Sequence, residues 1–117
     1  GAPIVQHSLN IMMEFYKQGA IPLEKIVEKM CHNPSILYRI DKRGFIREGY
    51  YADLVIVDLD TSYTVSKENI LYKCGWSPLE GTTFHSKVTH TFVNGNLVYD
   101  RGSFNETQKG MALVVSN

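Results

Sequence analysis

Apolar residues along the first forty positions recur at helical intervals. Leu9, Met12, Met13 and Tyr16 stand at i, i+3, i+4 and i+7, which places them on one face of a helix. Ser8 is positioned to cap its start and Gly19 to end it. Pro22 opens a second helix at its first turn, where a missing N–H is tolerated, and Leu23, Ile26, Val27 and Met30 repeat the spacing. A third, short helix is expected from Pro34, with Asn33 as its cap and Ile36, Leu37 and Ile40 facing inward.

From Gly44 the period changes. Gly44 and Gly49 punctuate a turn-rich stretch, and Ala52 to Asp58 is a β-branched run suited to a buried strand. Thr64 and Val65 continue into a short neighbour. Residues 72–84 mix Gly75, Pro78 and Gly81 with the lone Trp76, which predicts a long ordered loop pinned to a core by that indole. Val88 to Val93 and Leu97 to Tyr99 flank Asn94-Gly95, a pair that tolerates positive φ and predicts a two-residue hairpin turn. Met111 to Val115 reads as a last strand. Helices therefore precede strands without βαβ alternation. The strands are few, short and apolar on both faces, so the sheet is expected to need partners beyond it. The chain reads as the tail of something larger.

Twelve Lys plus Arg balance twelve Asp plus Glu, and this neutrality carries no footprint of a nucleic-acid partner. The apolar run Leu54 to Val57 is far short of the ~20 residues a membrane span needs, so no membrane partner is expected. No signal-peptide pattern opens the chain. Cys31 and Cys74 are too few for a disulfide framework and lack metal-ligand spacing, which favours a reducing, cytoplasmic setting.

The titratable residues suggest structure rather than chemistry. His7, His32, His85 and His90 are scattered, whereas a zinc site needs three or more convergent ligands; no metal is expected on this chain. His7 sits at a helix entrance as a capping or packing residue. His32 adjoins Cys31 at a helix end, where a cation suits the dipole. His85 is a loop residue, and His90 alternates with Val88 and Phe92 as a half-buried strand histidine. Asp53 and Asp58, five apart, point to opposite faces of a strand, which favours turn and strand-end roles over paired acid–base work. Met12 and Met13 are core filling. Gly44 and Gly49 lack the Lys-Ser/Thr of a phosphate loop.

Several segments together resemble one family. Asn33-Pro34-Ser35-Ile36-Leu37-Tyr38, the Gly44 to Gly49 turn and Tyr51 to Asp58 are similar to the end of the cyclic amidohydrolases. Trp76-Ser77-Pro78-Leu79-Glu80-Gly81 and Lys87 to Gly95 follow in the same order, and the opening Gly1 to Leu9 most resembles the dihydroorotases among them. The resemblance implies an α+β fragment: residues 1–43 as the last helices of a (β/α)8 barrel, and residues 44–117 as the C-terminal strands of its small β-sandwich. It implies a parent enzyme, a zinc-dependent cyclic amide hydrolase that interconverts N-carbamoyl-L-aspartate and dihydroorotate in pyrimidine biosynthesis. An allantoinase, a dihydropyrimidinase or a non-catalytic structural module is the alternative. The family's metal ligands map to no position here, so the chain alone is expected to be inactive, with no catalytic residue. What carries over is Gly1, Ala2 and Pro3, whose backbone would approach a small-molecule substrate. An apolar sheet short of partners further predicts a homodimer or larger assembly.

Overall fold

The structure is a computed structural model, and it describes residues 1–107 and 109–116. A 3-10 turn (Val5–His7) leads into α1 (Ser8–Lys17); α2 (Leu23–Val27), a π turn (Glu28–His32) and α3 (Asn33–Leu37) follow. Then come β1 (Leu54–Asp58), β2 (Tyr63–Thr64), a 3-10 turn (Lys67–Asn69), β3 (Thr83–Phe84), β4 (Lys87–Val93), β5 (Asn96–Asp100) and β6 (Ser103–Phe104). The chain forms two compact units, one of residues 1–21 and 58–87, the other of residues 22–57 and 88 onward.

In the first unit, Met13, Val65 and Phe84 form the buried apolar core. The helical face predicted for α1 is real, but Ser8 is not its cap. The preceding 3-10 turn already receives the Ser8 N–H on the Val5 carbonyl, and the Ser8 hydroxyl donates to that same oxygen at 3.1 Å. The helix ends as expected, with the Gly19 N–H on the Tyr16 carbonyl at 2.9 Å. Strands β2 and β3 pair antiparallel, Tyr63 opposite Phe84 and Thr64 opposite Thr83. Ser66 and Asn69 cap the Lys67–Asn69 turn reciprocally, the Ser66 N–H donating to Asn69 Oδ1 at 2.9 Å. The loop before β3 is ordered, but Trp76 does not pin it: the indole is 49% exposed. Its neighbour Ser77 is buried instead, its hydroxyl accepting the Leu79 N–H at 3.1 Å. A small side chain that ties off a turn suits this tight stretch better than a bulky ring.

In the second unit, the two expected helices run together. Asn33 is helical (φ −62°, ψ −42°) rather than a cap. Pro34 has no N–H to donate and its ring crowds the preceding turn. The wider π turn absorbs that conflict without stopping the helix. One residue inserted in a turn rotates every later helical position by about 100°. Ile36 and Leu37, expected inside, stand 63% and 73% exposed, while Ser35 turns in and donates to the Arg43 carbonyl at 2.7 Å.

The second unit's sheet has the order β1-β4-β5-β6. Strands β4 and β5 are antiparallel, with Val93 opposite Asn96 and His90 opposite Asp100, and an irregularity between Thr91 and Phe92. The Asn94-Gly95 turn is as the sequence predicts, with φ of +52° and +81°. Met111 to Val115 is not a strand. Only Val115 bridges, antiparallel to Ile40, with the Asp41 N–H on the Val114 carbonyl at 2.7 Å. Its partner is the irregular stretch after α3, which cannot offer a longer ladder. Strand β1 is shorter than the expected Ala52 to Asp58 and is not buried: Val55 and Ile56 stand about half exposed, with no element among the described residues covering them.

Candidate functional site

Gly1 and Ala2 are exposed and Pro3 is half-buried, immediately before the Val5–His7 turn that closes with the His7 N–H on the Ile4 carbonyl at 3.1 Å. Gln6 anchors that turn. Its backbone N–H donates to the Tyr72 hydroxyl at 2.7 Å, its side-chain amide donates to the Asn69 carbonyl at 2.7 Å, and its side-chain oxygen accepts the Leu71 N–H at 2.8 Å. These partners lie more than sixty residues along the chain, which is why no local pattern marks Gln6.

His7 lies behind the turn, only 1% exposed. Its Nε2 is 3.2 Å from the Tyr63 hydroxyl, its ring stacks near Phe84, and its Nδ1 meets no hydrogen-bond partner. An imidazolium would present a second N–H at that bare position. Burial accordingly lowers the His7 pKa from its ordinary 6.5. The packing role expected for His7 fits this setting. Because the folded state favours neutral His7, the unfolded chain binds more protons below about pH 6.5, and stability falls there as pH falls. Urea midpoints should therefore drop between about pH 7.5 and pH 5.5, and drop less in His7→Gln. Equal drops in the two proteins would exclude His7 as the cause.

The remaining sequence candidates each meet a partner within the chain. His85 faces Glu14, its Nδ1 2.9 Å from the carboxylate, and Asn10 donates to the Ser86 carbonyl at 3.0 Å, which ties α1 to that loop. His32 stacks on Phe45 at 4.1 Å between ring centroids. His90 Nε2 is 3.2 Å from the Asp100 carboxylate across the hairpin. Asp58 accepts the Asp60 N–H at 2.9 Å in a turn. Asp53 binds the Arg43 guanidinium and accepts the Asn94 N–H at 2.8 Å. Arg43, buried with its guanidinium 4.1 Å from the Tyr51 ring centroid, has no signature in the sequence beyond preceding Gly44.

Among the described residues, no group of three or more His, Cys, Asp or Glu could hold a metal ion. No helix among them is long and apolar enough to cross a membrane.

A helical run, a mostly antiparallel sheet and an exposed opening loop define the class as α+β. The family model "Amidohydrolase family" matches residues 4–98, and the chain belongs to that family. It is 32% identical over 114 residues to the dihydroorotase of Pyrococcus furiosus, covering 97% of this chain and 27% of that protein. It is 32% identical over 92 residues to the allantoinase of Desulfitobacterium hafniense, covering 79% and 20%. Among solved structures, the L-hydantoinase (dihydropyrimidinase) of Arthrobacter aurescens is 31% identical with a TM-score of 0.81, covering 90% of this chain and 24% of that one. The D-hydantoinase (dihydropyrimidinase) of a Thermus species shares the fold at a TM-score of 0.84 and 20% identity, covering 90% and 23%. The chain thus spans about a quarter or less of the length of these relatives. Relatives of this family include dihydroorotases, allantoinases and hydantoinases, which makes the chain part of a cyclic amidohydrolase line.

Proposed function

We propose that the chain is the C-terminal portion of a cytoplasmic, dihydroorotase-like enzyme that interconverts N-carbamoyl-L-aspartate and dihydroorotate in pyrimidine biosynthesis. The observation that carries this reading is the match to a dihydroorotase along 97% of the chain. Residues 1–43 would close a (β/α)8 barrel and residues 44–117 would complete a β-sandwich. That division concerns origin in the larger fold, whereas the compact units follow contacts within the chain. Ile36, Leu37, Val55 and Ile56 support it, because each leaves an apolar side chain in water at about 25 cal/mol per Å². Without the rest of the enzyme, two or more copies would cover these faces, and sedimentation of the isolated chain as a monomer at all concentrations would count against that.

In this reading the backbone of Gly1, Ala2 and Pro3 meets the substrate. Zinc belongs to the parent and would be held by residues outside this sequence, where it supplies an activated water and a polarised carbonyl. The isolated chain is then inactive. Purified full-length polypeptide carrying this sequence should open dihydroorotate with a higher kcat/KM than allantoin or dihydrouracil. A preference for either of the other rings would replace the dihydroorotase reading with the corresponding relative.

A further inference from the structure

We propose that Gln6 is a positioning residue for substrate binding, holding the Gly1–Pro3 loop in the conformation that receives the ring. The inference rests on the proposed function, which assigns ligand contact to that loop, and names the residue that orders it. A loop that meets its ligand through backbone groups has no side chain to search with. Any freedom it keeps before binding must be lost on binding, which weakens affinity. Gly1 and Ala2 are exposed, and the segment that follows Pro3 can supply order to them.

That segment is fixed by Gln6. Both ends of its side-chain amide bond backbone, the nitrogen to the Asn69 carbonyl and the oxygen to the Leu71 N–H, while its own N–H meets the Tyr72 hydroxyl. The receiving turn is itself braced. Asn69 Oδ1 accepts the Ser66 N–H, and its Nδ2 donates to the Thr64 carbonyl at 2.8 Å. Three hydrogen bonds of one residue therefore tie the chain, three positions after Pro3, to the last residue of a capped turn and to the two residues Leu71 and Tyr72 beyond it. Packing alone does not require this pattern, since a long apolar side chain could fill the same space.

The test compares full-length polypeptide with Gln6→Met, which keeps the length and loses both amide bonds, and Gln6→Glu, which keeps the oxygen that accepts from Leu71. Kinetics on dihydroorotate are read beside amide hydrogen exchange of residues 1–7. Gln6→Met should raise KM about tenfold, leave kcat within about twofold and speed exchange of the opening segment. Gln6→Glu puts a second acceptor against the Asn69 carbonyl and should recover neither effect. Full recovery would show that the amide donor is not needed and would overturn the proposal. Faster exchange with unchanged KM would make Gln6 structural only, and unchanged exchange would remove the clamp; either overturns the proposal. If the unsubstituted enzyme prefers another cyclic amide, the dihydroorotase reading fails and the Gln6 comparison is made on that substrate. Absence of ring opening on every cyclic amide overturns both.

Discussion

Gly44→Ala should cost the second unit about 3 kcal/mol or more, enough to unfold it in mild denaturant. The residue has a φ of +83°, a conformation that L side chains adopt only with strain. Space is the larger problem. An added Cβ would lie 2.5 Å from the Ser35 Cβ and 2.7 Å from the Cys31 carbonyl oxygen. Neither neighbour can yield cheaply. Cys31 belongs to the π turn, and Ser35 is buried with its hydroxyl on the Arg43 carbonyl. Gly95→Ala is the matched control: its φ is +81°, but nothing lies within 4 Å of the new carbon. It should cost only about 1 kcal/mol, the strain alone. Equal losses in urea titrations of the two variants would show that the clash at Gly44 relaxes.

Asp53→Ala should cost about 3 kcal/mol, because it leaves the buried Arg43 guanidinium with Asn94 Oδ1, at 2.8 Å, as its remaining hydrogen-bond acceptor. It also strips the Asn94 N–H of its acceptor at the mouth of the hairpin. Arg43→Met removes the buried cation instead, and leaves a carboxylate that is one-third exposed and still bonded to Asn94. The double substitution should then cost little more than Asp53→Ala alone, giving a coupling of roughly 1.5 kcal/mol or more between the two. Additive losses would mean that the pair holds nothing together. The contrast matters for function as well, since Arg43, Asp53 and Asn94 join the stretch after α3, the approach to β1 and the hairpin turn. The buried charge braces these three segments.

Local signals were the legible ones. The α1 face, the stop at Gly19 and the Asn94-Gly95 turn each depend on neighbours in sequence, and each stands in the structure. Asn33-Pro34 misleads for a physical reason: a cap followed by proline is how a helix begins, and it is also what a π turn can accommodate in a continuing one. Ile36 and Leu37, expected inside, are exposed because no other part of the described chain packs on that face. Trp76 and Met111 to Val115 fail differently, because composition favours a buried indole and a strand while the available partners decide. Gln6 and Arg43 were out of reach altogether. Their hydrogen bonds join positions that only the folded chain brings together, and glutamine or arginine at one position carries no period or spacing. The opening loop Gly1 to Pro3 enters as a candidate only through family resemblance.

The central claim is that this chain is a working part of a dihydroorotase-like enzyme and not an enzyme by itself. The most direct measurement is ring opening of dihydroorotate, followed side by side for the isolated 117-residue chain and the full-length polypeptide that contains it. Turnover by the full-length protein and none by the isolated chain is the predicted result. Turnover by the isolated chain, or none by the full-length protein, would contradict it.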